Sequence, residues 1–178
     1  MYKRILVPTD GSPLSDHAVD AAIEFARAFG SEIVALSVAV PEPVLQSLDG
    51  AMVLDPGQQV DALLEHAYTA VAAVAARAQA AGLQCTPVTR FSLDPGEAIV
   101  DAVREQACDL VVMGSHGRRG LSRLLAGSVT QAVLAYAPVP VMVLRAAPAG
   151  DAAHPPASPG ASSGPSSGPS SGPGAGQA

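Results

Sequence analysis

The sequence predicts an α/β protein: a single doubly wound, open parallel sheet with helices on both faces. Three observations carry that expectation. Short β-branched runs alternate with amphipathic stretches long enough to serve as crossover helices, the mark of a βαβ series. The strand-like runs are nearly continuous in apolar residues, as in Glu32 to Val40 (EIVALSVAV), which suits strands buried on both faces. The chain is 48% hydrophobic but only 3% aromatic, with no tryptophan, so its core must be aliphatic. Because βαβ crossovers are right-handed in nearly all cases, strands joined this way lie parallel.

The first strand is Arg4 to Val7, bounded by Pro8, after which Asp10-Gly11-Ser12-Pro13 supplies turn chemistry and a helix start. From Ser15 to Phe29, Ala18, Ala22, Phe25 and Phe29 recur at helical spacing, and Gly30 follows as a residue able to turn left-handed. Glu32 to Val40 is the second strand. Pro41 to Gly57 holds three prolines and two glycines without a period, a connecting loop with a short helical turn around Val44 to Leu48. Gln58 to Ala81 is a long amphipathic helix, with Leu63, Leu64, Ala67, Val71 and Val74 three or four apart, ending at Gly82. Cys85 to Phe91 is the third strand, and Pro87, which cannot donate to a ladder, assigns it to an edge. Asp94-Pro95-Gly96-Glu97 opens a helix that runs through Ile99, Val100 and Val103. Asp109 to Met113 is the fourth strand, Ser128 to Tyr136 the last helix, and Val139 to Leu144 the fifth strand.

These elements end near Arg145, so residues 1–145 are expected to form one domain. Residues 146–178 are rich in Ala, Pro, Gly and Ser with PSSG-type repeats, a composition that buries too little apolar surface to offset its ordering entropy, and they are expected to be disordered. A formal net charge of -6 argues against broad binding of nucleic acid or anionic membrane, although Arg118, Arg119 and Arg123 form a local cationic cluster. No apolar stretch approaches the roughly 20 residues needed to span a bilayer. Cys85 and Cys108 form no CxxC pair, and no charged-then-apolar leader opens the chain, so a reduced, cytoplasmic protein is expected.

Chemistry is legible in one place. Directly after Leu110 to Met113 stand Gly114-Ser115-His116-Gly117, and after nine intervening residues comes Gly127-Ser128-Val129-Thr130. Glycines that end a strand let backbone approach a ligand, or simply permit a turn; the second Gly-Ser adds a helix N-terminus and two hydroxyls at the same end of the sheet. Ser128 suits both an N-cap and a phosphate contact, and the arginines at 118, 119 and 123 can grip a phosphate bidentately or remain solvated. Asp10, at the end of the first strand, either accepts from ribose hydroxyls or a base amine, or caps the first helix. In doubly wound sheets ligands bind beyond the carboxyl ends of the strands where the winding reverses; if the first and fourth strands are neighbours there, the Asp10 and Gly114 loops face one crevice.

Stronger enzyme signatures are missing. The chain has no GxxxxGK[ST], and its only lysine is Lys3, so a P-loop mechanism is excluded. GxGxxG after the first strand, a GxSxG elbow between a strand and a helix, and HExxH are also absent, and His17, His66, His116 and His154 are scattered rather than clustered. His116 has no evident nucleophile or carboxylate partner and reads as a loop histidine. No dedicated catalytic residues are expected.

The segments Tyr2 to Ser12 (YKRILVPTDGS), Asp109 to Gly120 (DLVVMGSHGRRG), Gly127 to Thr130 and Val139 to Val141, in that order, resemble the universal stress protein family over about residues 1–145. Gly114, Gly117, Gly127 and Ser128 match the motif of its ATP-binding branch. The resemblance implies a Rossmann-like, adenine nucleotide alpha hydrolase-like sheet ordered 3-2-1-4-5, ATP as ligand with accompanying Mg²⁺, and a homodimer paired through the last strands. It assigns Pro8, Thr9, Asp10 and Val38 to the adenosine, with Asp10 on ribose or base, and Met113 to the border of the base. Phosphates fall to Gly114, Gly117, Gly127, Ser128, Val129 and Thr130, with Arg118 beside them. Ser37 stands where many relatives have His. The implied function is an ATP-dependent stress-response regulator in which nucleotide orders the Gly117 to Gly127 loop for an unknown protein partner, with at most slow hydrolysis. Two alternatives stand beside it: a dimerisation module whose pocket is empty or takes AMP or cyclic AMP, and a nucleotide-cleaving enzyme, against which the missing SGGxDS-type and HxGH-type loops count.

Overall fold

In the first strand, β1 (Arg4–Pro8), Ile5 and Val7 point to one face of the sheet and Leu6 to the other, and all three are wholly buried. That two-sided burial is why the strand has no polar position to alternate with, and it recurs in β2 (Glu32–Ala39) and β4 (Leu110–Gly114). The computed structural model describes residues 2–41, 56–115 and 127–145. Five parallel strands lie in the order β3-β2-β1-β4-β5, as expected, with β3 (Cys85–Phe91) and β5 (Val141–Leu144) at the edges. Pro87 sits in edge strand β3 opposite Ala35, where the missing N–H costs no central ladder bond.

Among the described residues four helices connect the strands: α1 (Pro13–Phe29), α2 (Pro56–Ala80), α3 (Pro95–Glu105) and α4 (Ser128–Tyr136). One core cluster joins Ile5, Val7, Ile33, Ala35, Leu110 and Val112 to α1 and α2 through Val19, Ala22, Val71 and Val74. The other joins Leu6, Val34, Leu36, Val111 and Met113 to α3 and α4 through Ile99, Val103 and Val133. The chain winds outward from β1 to β3, then returns to β4 beside β1 and continues to β5, so right-handed crossovers put the two helix pairs on opposite faces. At the amino ends of the strands, the Asp109 carboxylate accepts from the backbone amides of Lys3 and Arg4 at 2.8 and 3.0 Å, fixing β4 against β1.

Several boundaries differ from the sequence expectation. β2 stops at Ala39, β4 runs one residue further to Gly114, and β5 begins at Val141, because Val139 and Pro140 precede its pairing with Val111. α1 begins two residues early at Pro13, with Ser12 rather than Asp10 as its N-cap: Ser12 Oγ accepts from the amide of Ser15 at 3.3 Å. Its buried face runs through Ser15, Ala18, Val19, Ala22 and Ala26, while Phe29 is 44% exposed and stacks on Phe25. Gly30 takes the expected left-handed conformation, φ 67°. The helical turn expected at Val44 to Leu48 and the disorder expected of residues 146–178 lie outside the described residues.

Candidate functional site

β1 and β4 are neighbours with their carboxyl ends together, and this is where the winding reverses. A cleft of about 690 Å³ opens there, within the ~300–1,000 Å³ of small-molecule sites. Pro8, Thr9 and Asp10 line it from the end of β1, Val38 from β2, Met113 and Gly114 from β4, and Gly127, Ser128, Val129 and Thr130 from the start of α4. Ten of the sequence-selected residues therefore meet in one cavity. Gly117 and Arg118, with His116, Arg119 and Arg123, lie outside the described residues.

The β1–α1 turn is rigid by construction of its own polar groups. The amide of Thr9 donates to the Leu36 carbonyl at 2.8 Å, and the amide of Gly11 donates to Thr9 Oγ1 at 3.2 Å. Asp10 Oδ1 accepts from the amide of Ser12 at 3.1 Å, an Asx turn that presents the carboxylate at the cleft wall. Gly11 has φ 71°, a left-handed conformation that strains any residue with a Cβ. Thr9 is buried and shares its hydroxyl with Ser15 Oγ at 3.1 Å, so its role is to shape the turn.

At the opposite wall, the sequence expected two hydroxyl donors in Ser128 and Thr130, but Thr130 Oγ1 is buried and donates to the carbonyls of Gly114 and Ser115, 3.1 Å from each. The amide of Gly127 is likewise engaged, donating to the Ser115 carbonyl at 2.8 Å, while the amide of Ser115 reaches Leu144 at 2.7 Å. Gly127, not Ser128, is the N-cap of α4, and among the described residues no side chain caps the helix. The first-turn amides of Ser128 and Val129 thus face the cleft end of the helix without the side-chain acceptor that a serine or aspartate cap supplies. Gly114 closes β4, with Met113 one residue inside it and only 5% exposed.

The sequence reading missed the far side of the cleft. Leu63, His66 and Ala67 line it from α2, Leu93 from the turn before α3, and Pro95 and Ile99 from α3 itself. His66 Nε2 lies 3.2 Å from the Asp10 carbonyl oxygen, so it carries the proton donated there and braces the turn from α2. His66 was legible only as one of four scattered histidines, since helical spacing does not say which strand end a helix face meets. No lysine or arginine is among the described lining residues. Among the described residues no group of three or more His, Cys, Asp or Glu could hold a metal ion. Burial pushes both free thiols up, Cys108 to about 11, and neither lines the cleft.

An open, doubly wound α/β sheet with a ligand-sized crevice at its switch point defines a Rossmann-like protein. The chain belongs to the universal stress protein family, whose family model matches residues 1–145. It is 32% identical over 146 residues to the universal stress protein MJ0531 of Methanocaldococcus jannaschii, covering 82% of this chain and 83% of that one. It is 34% identical to the universal stress protein Rv2005c of Mycobacterium tuberculosis over 145 residues, spanning 79% of this chain but 45% of that longer protein. The solved structure of MJ0577, a further universal stress protein of M. jannaschii, superposes with a TM-score of 0.69 at 27% identity, covering 83% of this chain and 98% of that one. A universal stress protein solved in complex with cAMP gives 0.59 at 26% identity, covering 80% and 97%. Among the described residues no helix is long and apolar enough to cross a membrane.

Proposed function

We propose that this protein is an ATP-binding stress-response regulator, a nucleotide-dependent switch rather than a dedicated enzyme. The observation that carries the proposal is the start of α4: a helix N-terminus with a glycine N-cap, lining the cleft beside the end of β4 and with no side-chain cap among the described residues. Helix-start amides and the helix dipole favour an anionic guest there. The donor set fits a nucleotide: apolar Val38 and Met113 suit a base, the Asp10 carboxylate suits ribose hydroxyls, and the amides of Ser128 and Val129 suit phosphate. Gly117 and Arg118 complete the phosphate end in this reading, and Gly114 and Gly127 contribute by carrying no side chain. Mg²⁺ accompanies the phosphates rather than a protein cage, since Asp10 is the one carboxylate among the described lining residues. In this reading ATP hydrolysis is at most slow.

A ligand shifts a conformational equilibrium only through its different affinity for the two states, and the loop between Gly117 and Gly127 is where phosphates bias it. The proposed working form is a cytoplasmic homodimer paired through β5. That edge strand is only partly covered, with Met142 38% and nearby Tyr136 72% exposed, the kind of edge that pairing with a second copy protects.

The cAMP complex of a relative favours a second reading, in which the same cleft takes AMP or a cyclic nucleotide. Heating the purified protein and chromatographing the released small molecules decides between them. Co-purifying ATP supports the first reading and AMP or cyclic AMP the second. Release of none, together with no uptake on saturation with any of the three, contradicts both.

A further inference from the structure

We propose that Leu93 is a ligand-binding residue of the cleft, an apolar clamp that packs over the nucleobase. The inference rests on the nucleotide reading above and extends it to a residue that neither the motif nor the glycine spacing indicates. Leu93 is 81% exposed, the most exposed of the large hydrophobic side chains among the described residues, and it is the one of them that lines the cleft. A single exposed leucine is ordinary on a protein surface. This one is held in place on both sides.

The amide of Ser92 donates to the Ala39 carbonyl at 3.1 Å, extending the β2–β3 register one step beyond the Ala39–Phe91 pair. Ser92 Oγ then accepts from the amide of Asp94 and lies within 3.1 Å of the Asp94 carbonyl, to which it donates. Asp94 Oδ1 accepts from the amide of Glu97 at 3.0 Å as the N-cap of α3, and Pro95 fixes φ at the first helical position. Leu93 is therefore the free vertex of a three-residue turn pinned to β2 and to α3. It stays outside the core, whereas Leu36 and Ile99, which line the same cleft, belong to it.

Its position just past the end of β3, whose Phe91 pairs with Ala39, places it beside the end of β2, where Val38 to Val40 line the same cleft. The phosphate-suited amides of α4 line the same cleft, so an occupant that meets both them and Leu93 is one with an anionic end and a flat apolar end. A planar base gives Leu93 apolar surface to bury, and the pinned turn means little backbone freedom is lost in doing so.

The test is titration calorimetry of ATP against the full chain as wild type, Leu93→Ser and Leu93→Met, with melting temperatures alongside. The serine variant is expected to bind ATP about ten-fold more weakly, the scale of a lost apolar pocket contact. The methionine variant is expected to bind close to wild type, with all three melting alike because an exposed side chain supports no core. Equal ATP affinity for serine and wild type, or an equal loss in serine and methionine, overturns the clamp. Failure of the wild type itself to bind ATP overturns the nucleotide reading on which the clamp rests, so the two failures are told apart.

Discussion

Thr130 Oγ1 donates a hydrogen bond of 3.1 Å to the carbonyl oxygen of Gly114, tying the first turn of α4 to the last residue of β4. The hydroxyl is buried, so it belongs to the frame that aims the α4 amides at the cleft. Thr130→Val keeps the shape and removes the donor, leaving a buried carbonyl short of a partner. It should lower stability by about 1–3 kcal/mol in urea denaturation and weaken nucleotide binding with it, whereas Thr130→Ser retains both. Weaker binding with undiminished stability would instead assign the hydroxyl to the ligand.

Gly96 packs α3 against α4 at the other side of that helix. A Cβ added there would lie 2.7 Å from the Cβ of Ala132 and 3.3 Å from Asp94 Oδ1. The Ala132 methyl is fixed to its backbone and cannot swing aside, so the overpacking outweighs the few tenths of a kcal/mol by which valine exceeds glycine in helix preference. Gly96→Val should cost about 1–3 kcal/mol by chemical denaturation. Adding Ala132→Gly should recover part of the loss, a non-additivity that locates the clash between the two helices.

Cys108 supplies a pH signature. Burial raises its thiol above the ordinary 9.0 to about 11, with Arg4 drawing it down and Asp109 pushing it up. The folded state then holds this proton more tightly than the unfolded chain. The sign follows: its contribution is complete below pH 9 and is lost as pH rises from about 9 to about 11. Cys108→Ala should flatten the stability-against-pH curve in that window, at some cost in packing at all pH values. An unchanged slope in the alanine variant would assign the alkaline loss to other groups.

Much of the frame was legible because it depends on local chemistry. β3 and α4 were read to the residue, the first from a β-branched run that Pro87 confines to an edge, the second from Gly127-Ser128 opening an apolar helix that ends at Tyr136. The sheet order came through the family resemblance. What could not be read depends on which groups meet across the fold. The letters show a threonine at 130 but not that its hydroxyl is spent on Gly114 and Ser115, nor that the Gly127 amide is occupied by Ser115. Asp10 and Ser12 are equally good caps in sequence, and only the path of the turn gives the cap to Ser12 and an Asx turn to Asp10. His66 and Leu93 reach the cleft because α2 and the β3–α3 turn are packed over it, a relationship with no local signal.

The most direct measurement is titration calorimetry of Mg²⁺-ATP against the wild type and Gly117→Val, with circular dichroism confirming an unchanged fold. Gly117 belongs to the glycine motif after β4, where a β-branched side chain would take the space of the triphosphate. The account predicts saturable binding by the wild type and none by the variant. Equal affinity in the two proteins, or no ATP binding by the wild type, would contradict it.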